Sequence, residues 1–563
     1  MARLTVRHLP PSKWAHLPSA RPTPTTLDGV GATLNALSLT DLLTLSALMS
    51  AADEPLQQRV PAARTHLNFA LRRLFLLAIL RSKAAEYKTA LVTPQDMARR
   101  WDELGDVDGL HMPDDRDTLH SLLMPLISNQ LRFQNITVNA RAQQVYGHLI
   151  VSQPHGKKYL NLDEVFAQKY GLSLTDLLRF LMTLEAWHAA YERAVEKCLR
   201  VAPNASSAEV WQELVATARE WRLHQFPFTA ARFAQLFDLP QPLVDAALAC
   251  LSAPIEELRS WQNRHMHLGL TDTPGSIPFA LEHRPLVRLR DGRYILPEHT
   301  ALPVTVSLTV LSLLDEAVTA DQKQAYSDTR GKALENYLLG MMQDAFPTPA
   351  RVIPERKYMR SAEQRIHGPD LLILDPRDPH MVLIEAKATR GKVETAPDPT
   401  GPRLKRNYGE AFEALRPHKA GGKIKDLRVG LTEYADVQVD IDRATGRPLV
   451  IALVHDMPPR SGRLLGRYLR MHPEDPLGNA TYDVLLMDLI ELEMVVHRAK
   501  TTGHSLHAVL EREVQGVAHE RDPEGHPLNT HDPIPEVDDE SPLYCMRFPE
   551  IHAFLTAETT EKS

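Results

Sequence analysis

The residues whose types and spacing could do chemistry are Asp370, Glu385 and Lys387, with Glu335 upstream of them. Glu385 and Lys387 close the apolar run Met-Val-Leu-Ile at 381–384, with Ala386 between them. Side chains alternate along a strand, so Glu385 and Lys387 share one face and Ala386 takes the other. A charged pair ending a buried apolar strand is costly unless it is paired or bound to a metal. Asp370 follows Gly368-Pro369 and opens the preceding apolar run, 371–374. The stretch 375–379, Asp-Pro-Arg-Asp-Pro, reads as the turn between the two runs. Asp370 can therefore face Glu385. Converging carboxylates repel one another unless a cation sits between them. A few hard oxygen donors, with water completing the shell, suit Mg²⁺ or Mn²⁺. Such an ion activates water and stabilises charge on a phosphate. Lys387 would orient the attacking water or neutralise the transition state. The alternative without chemistry is a buried ion pair between Lys387 and a carboxylate.

Several elements must position these groups. Residues 331–346 read as an amphipathic helix with Leu334, Leu338, Met341 and Met342 as its apolar stripe, and Glu335 sits beside that stripe. A strand over 351–358 precedes the strands carrying Asp370 and Glu385. The continuous apolar run 381–384 implies a strand buried on both faces. A helix at 405–416 and a strand at 449–454 follow. His367 and Asp375 read as turn polars, and His455 and Asp456 as strand-end polars.

Pro369-Asp370 with Glu385-Ala-Lys387 resembles the PD-(D/E)xK signature of the restriction-endonuclease-like nuclease superfamily, and the order of elements over about 328–500 matches it. The resemblance implies Asp370 and Glu385 as metal ligands, Lys387 as the catalytic lysine and Glu335 as an accessory ligand, with Mg²⁺ or Mn²⁺ as cofactor. It covers roughly a third of the chain. Glu-x-Lys alone recurs by chance on helix surfaces. Its weight here comes from the strand it ends and the Asp one strand earlier.

Eleven Lys and Arg lie between Lys387 and Arg428, against five Asp and Glu, in a chain of net charge −7. Such an excess beside the site suits phosphate contacts, and Lys405, Arg406 and Lys419 are the best candidates for nucleic-acid binding. The other reading is a solvated helix face.

The remainder bounds the setting. A chain of 563 residues, 43% apolar and 24% charged, is of ordinary globular composition. Residues 1–30 read as an irregular arm. Residues 31–225 read as a helical domain, with helices at 37–49, 66–81 and 174–198. The segment Leu-Ser-Leu-Thr-Asp-Leu-Leu occurs at 37–43 and again at 172–178, and is best read as two similarly capped helices. Residues 226–325 read as a connecting region with a helix pair, a hairpin around Asp291-Gly292 and a helix at 304–317. The pair could belong to a winged-helix-like unit. Its second helix has no Arg or Lys, which favours a structural role. Residues 326–515 are the nuclease-like domain, 516–541 an acidic Pro-rich linker, and 542–563 a tail. The expected fold class is therefore multidomain α plus α/β, a largely helical N-terminal region before a restriction-endonuclease-like core with a mixed central sheet.

Three scattered cysteines exclude a CxxC pattern and a disulfide framework, and Cys198 and Cys250 read as buried hydrophobes. The start lacks an apolar signal region and no run could span a bilayer, so a cytoplasmic, membrane-free protein is expected. No Walker motif implies a motor. The expected partner is nucleic acid, DNA favoured over RNA. The helical half would serve as platform for a protein partner, and a homodimer would suit double-strand cutting. A build without motor or methyltransferase is consistent with genome defence or DNA processing. The alternatives are an RNA-cleaving enzyme and a catalytically silent nucleic-acid-binding or assembly protein that keeps the fold.

Overall fold

The computed structural model describes residues 27–59, 69–86, 138–198, 207–222, 227–266, 280–360, 363–390, 408–456 and 474–520, with a few single positions between 93 and 100 and between 465 and 472. Its first part is helical: α1 (Leu27–Leu34), α2 (Leu39–Arg59), α3 (Phe69–Arg81), α4 (Val138–Tyr146), α5 (Leu162–Tyr170), α6 (Leu174–Cys198) and α7 (Ser207–Arg222). Then come α8 (Ala230–Phe237), α9 (Gln241–Leu251), α10 (Ile255–Met266), α11 (Ala280–His283) and α12 (Leu302–Ala317). Each of the two repeated segments starts a helix, α2 or α6. Ser173 caps α6 by accepting the Asp176 N–H at 2.9 Å, while the matching Ser38–Asp41 contact is longer, 3.4 Å. Thr229 caps α8 through the Arg232 N–H.

The described residues between 227 and 325 share cores with the preceding helices. Strand β1 (Ser252–Pro254) pairs parallel with β2 (Leu286–Arg288), which pairs antiparallel with β3 (Tyr294–Ile295) across the expected Asp291-Gly292 turn. Gly292 adopts φ 81°, a region open to glycine. Val287 and Ile295 join α1–α3, α7 and α10 in one core. Helices α8, α9 and α12 join α4–α6 in a second.

The second part is a mixed sheet between two helical layers. Helix α13 (Lys323–Ala345) starts two turns earlier than its apolar stripe requires. The expected single strand at 351–358 is two: β4 (Arg351–Pro354) in the main sheet and β5 (Lys357–Met359), which pairs with β6 (Arg365–His367). Strands β7 (Leu371–Leu374), β8 (Met381–Arg390), β9 (Leu449–Asp456) and β10 (Asp483–Asp488) complete a five-stranded sheet, ordered β10-β9-β8-β7-β4. β4, β7 and β8 are antiparallel neighbours, whereas β8, β9 and β10 run parallel. Parallel strands need crossovers. These hold α14 (Gly409–Leu415), α15 (Gly422–Val429) and α16 (Gln438–Arg443), before α17 (Leu489–Thr502) and α18 (Leu506–Glu520) close the part.

Alternation along the strands explains the layering. Leu372, Leu374, Leu383, Val450, Ala452 and Leu486 face a core with Phe412, Ile424 and Tyr434. Leu371, Ile373, Ile384, Ile451, Leu453 and Leu485 face the opposite core with Leu334, Leu338, Leu492 and Val496. Both faces are covered, as the unbroken apolar runs require. Cys250 is buried and free. Cys198's side chain and Cys545 lie outside the described residues. So do the side chains of His455 and Asp456 and residues 1–26 and 521–563, which carry the arm, most of the acidic linker and the tail. No helix among the described residues is long and apolar enough to cross a membrane.

Candidate functional site

The β7–β8 ladder ends with Leu371 opposite Ile384, so Asp370 and Glu385 occupy the next position on each chain segment, just beyond the last pair. The Ala386 N–H donates to Asp370 Oδ2 at 2.7 Å and fixes that carboxylate against the neighbouring strand. Lys387 projects its ammonium between the two acids, 3.8 Å from Asp370 Oδ2 and 3.9 Å from Glu385 Oε2. The expected sharing of a face by Glu385 and Lys387 is thus realised, at a partly open strand end. The Glu385 side chain is 6% exposed and that of Lys387 27%.

Lys423, from α15, is the residue that sequence reasoning missed. Its Nζ donates to Glu385 Oε1 at 2.5 Å and to the Gly368 carbonyl at 2.9 Å. It counted toward the basic excess, but nothing in its spacing relates it to Glu385, 38 positions earlier. The link is tertiary: α15 packs on the sheet face that Glu385 shares with Leu383. Burial raises the Glu385 carboxyl above its ordinary range. Lys423 and Lys387 oppose that rise, and the Asp370 charge adds to it.

Glu335 is held differently. Its helix, α13, packs on the other sheet face. Its carboxylate pairs with Lys332 at 2.8 Å, one helical turn back. Burial raises the Glu335 carboxyl, Lys332 counteracts this, and the charges of Asp370 and Glu355 raise it further. Glu335 and Glu385 thus both feel the Asp370 charge. The three do not form a tight ligand set: among the described residues, the group of His, Cys, Asp or Glu whose ligand atoms all lie within 4.8 Å is Asp378, His380 and His507, which could hold a metal ion. His367, expected as a turn residue, lies on β6 and bonds to Glu355. Asp375 does belong to the turn, bound to Arg377.

Of the three residues expected to contact nucleic acid, one lies among the described residues. Lys419 is exposed, on the short π-helical turn that leads into α15. Lys405 and Arg406 lie outside the described residues, as does the basic loop at 391–407. The expected 405–416 helix is described from Gly409 to Leu415.

Gly368 explains how the Pro369-Asp370 corner is set. A Cβ there would collide with the Tyr434 hydroxyl and lie 2.9 Å from the Arg356 carbonyl. Its own N–H donates to that carbonyl at 2.9 Å. Gly368→Ala is expected to push the segment off Tyr434 and displace Asp370, costing about 1–3 kcal/mol of stability by overpacking. Urea unfolding, with activity measured in parallel, checks this. Unaltered stability would show that Tyr434 yields without cost.

No family model matches the chain, and no curated protein or solved structure matches it.

Proposed function

We propose that the protein is a metal-dependent nuclease of the PD-(D/E)xK type, acting on DNA, with Asp370, Glu385 and Lys387 as its centre. The observation that carries this reading is the meeting of Asp370 and Glu385 about Lys387, whose ammonium is less than 4 Å from both. The mixed sheet ordered β10-β9-β8-β7-β4, flanked by helices, supports it.

The donor chemistry fits a hard divalent ion. Two carboxylates converge at a strand end, and the ammonium groups now beside them already neutralise charge there. Asp370 and Glu385 would hold Mg²⁺ or Mn²⁺, and Glu335 would join only by exchanging its Lys332 partner. When bound, the ion supplies Lewis-acid stabilisation of the scissile phosphate and acidifies a water. The protein's own groups do the rest. The Ala386 N–H fixes Asp370. Lys423 fixes Glu385 while contacting the Gly368 carbonyl, so that both sides of the site are tied to one ammonium. Lys387 is partly exposed and is the group free to donate to a phosphate oxygen or to the attacking water. Lys419, exposed on the turn before α15, would meet the nucleic-acid backbone.

The test is cleavage of supercoiled plasmid, linear duplex, single-stranded DNA and RNA by the full chain, each with Mg²⁺, Mn²⁺ or EDTA. Cutting of DNA that EDTA abolishes is expected. Cutting of RNA alone would move the substrate assignment. Binding of DNA with no cutting under any condition would favour a silent scaffold.

A further inference from the structure

The turn between β7 and β8 carries a second cluster of metal-ligating side chains, at the far end of these strands from Asp370 and Glu385. At about 3.3 Å per residue, the four residues of β7 separate the two by roughly 13 Å or more. Asp378 and His380 come from the turn and His507 from the first turn of α18. The two imidazoles stack with centroids 3.7 Å apart and planes 10° from parallel. Both present Nδ1 to the one Asp378 carboxylate. His380 Nδ1 lies 2.6 Å from Oδ1, within hydrogen-bond reach. His507 Nδ1 stands 3.7 Å from Oδ2, beyond it. The Asp378 and His507 side chains are only 8% and 11% exposed.

The surrounding backbone is built around this knot. Ser505 hydrogen-bonds Asp378 and caps α18 by accepting the Ala508 N–H at 3.1 Å. Arg377 donates to the Gly503 carbonyl at 2.8 Å, docking the same turn on the same chain segment. Gly446 closes the third side. Its N–H donates to the Pro379 carbonyl at 2.7 Å, and a Cβ there would lie 2.5 Å from the His380 ring. Three stretches far apart in sequence thus bring two imidazoles and a carboxylate together.

We propose that Asp378, His380 and His507 bind a zinc-class transition-metal ion that staples α18 to the β7–β8 turn. Two imidazole nitrogens and one carboxylate oxygen form a borderline donor set, suited to Zn²⁺ rather than to Mg²⁺. With metal–ligand bonds of about 2.0–2.1 Å in a tetrahedral shell, neighbouring donor atoms lie about 3.4 Å apart. The 3.7 Å separation of His507 Nδ1 and Asp378 Oδ2 is close to that, and because the stacked rings do not aim both lone pairs at one point, binding requires an imidazole to turn about its Cβ–Cγ bond toward the ion. Water would complete the shell. Both rings bind as neutral imidazoles.

The test uses the full chain, stripped with chelator and titrated with Co²⁺, followed by visible absorption. Zn²⁺ is then added while the melting temperature is measured. A one-to-one cobalt spectrum that Zn²⁺ displaces is expected, with a rise in melting temperature. His507→Asn and Asp378→Asn, on different segments, should each weaken binding by more than the roughly 10–100-fold that outer-shell changes cost. Their metal-free circular dichroism should match that of the metal-free parent, which separates ligand loss from misfolding. Asp370→Asn should leave the spectrum unchanged. Absence of a one-to-one cobalt signal, its persistence in both variants, or its loss in Asp370→Asn would overturn the proposal. The last result would place the ion at the carboxylate pair instead, so the two sites are told apart within one experiment.

Discussion

Asp370→Asn and Lys387→Ala are each expected to reduce metal-dependent DNA cleavage by at least about 10²–10³-fold, the scale on which removing one charge-stabilising group slows an enzyme. Asn keeps the shape of Asp370 and can still accept the Ala386 N–H, so the fold of the corner should survive. What it loses is the charge that would hold the ion. Lys387 is different, since it stands between both acids and contacts neither within hydrogen-bond range. Its truncation should leave metal binding in place and remove the chemistry. Lys423→Ala separates a third role. Lys423 bonds directly to the buried Glu385, and removing one partner of a buried pair costs about 3 kcal/mol or more. The expected result is a less stable metal-free protein whose stability Mg²⁺ restores, with cleavage at saturating Mg²⁺ within about tenfold of the parent. Single-turnover cleavage and melting curves, each across a Mg²⁺ series, check all three variants. Equal loss of cleavage in Lys387→Ala and Lys423→Ala at every Mg²⁺ concentration would reverse their assigned roles or merge them.

The parts of this site that lie on adjacent strands were legible in the sequence. Period-two alternation dictates that Glu385 and Lys387 share a face, and the short turn at 375–379 brings Asp370 opposite Glu385. Helix positions were legible where a cap or stripe marks them, as at Ser173 and Thr229. What was not legible depends on contacts between elements distant along the chain. Lys423 reaches Glu385 because α15 covers one sheet face, and no spacing rule connects the two. Glu335 has the residue type expected of a ligand, yet α13 packs on the opposite face and supplies Lys332 as a nearer partner. The split of 351–358 into β4 and β5 was hidden because both halves have strand character. Only the second leaves the main sheet, to pair with β6. The Asp378–His380 pair had a local signal, two ligand types two residues apart, but its third member, His507, lies two residues beyond Ser505, which is itself 127 positions from Asp378.

Glu493→Gln is expected to flatten the pH dependence of stability between about pH 4.5 and 7. Glu493, on α17, is fully buried where the helical part meets the sheet-bearing part. It accepts hydrogen bonds from the Tyr337 hydroxyl at 2.7 Å and from Gln144 Nε2 at 2.8 Å. Burial pushes its carboxyl up to about 7, although both bonds and nearby Arg141 pull the other way. The sign follows from linkage. The folded-state pKa lies above the unfolded value of 4.5, so the folded state holds the proton more tightly. This contribution to stability is fully present below pH 4.5 and is lost as pH rises to about 7. The interval corresponds to about 3 kcal/mol. Glutamine stays neutral throughout and can still accept from Tyr337. The difference in unfolding free energy between variant and parent should therefore shift by about 3 kcal/mol in the variant's favour from pH 4.5 to 7.5. Urea unfolding at a series of pH values measures this difference, and other titrating groups common to both proteins cancel in it. Parallel pH profiles would mean that Glu493 is ionised in the folded state, held so by Arg141. In that case the contact between α4 and α17 is an ion-supported junction. If the profiles diverge as expected, it is a neutral one, and the packing of the helical half against the candidate nuclease half weakens as the pH rises toward neutrality.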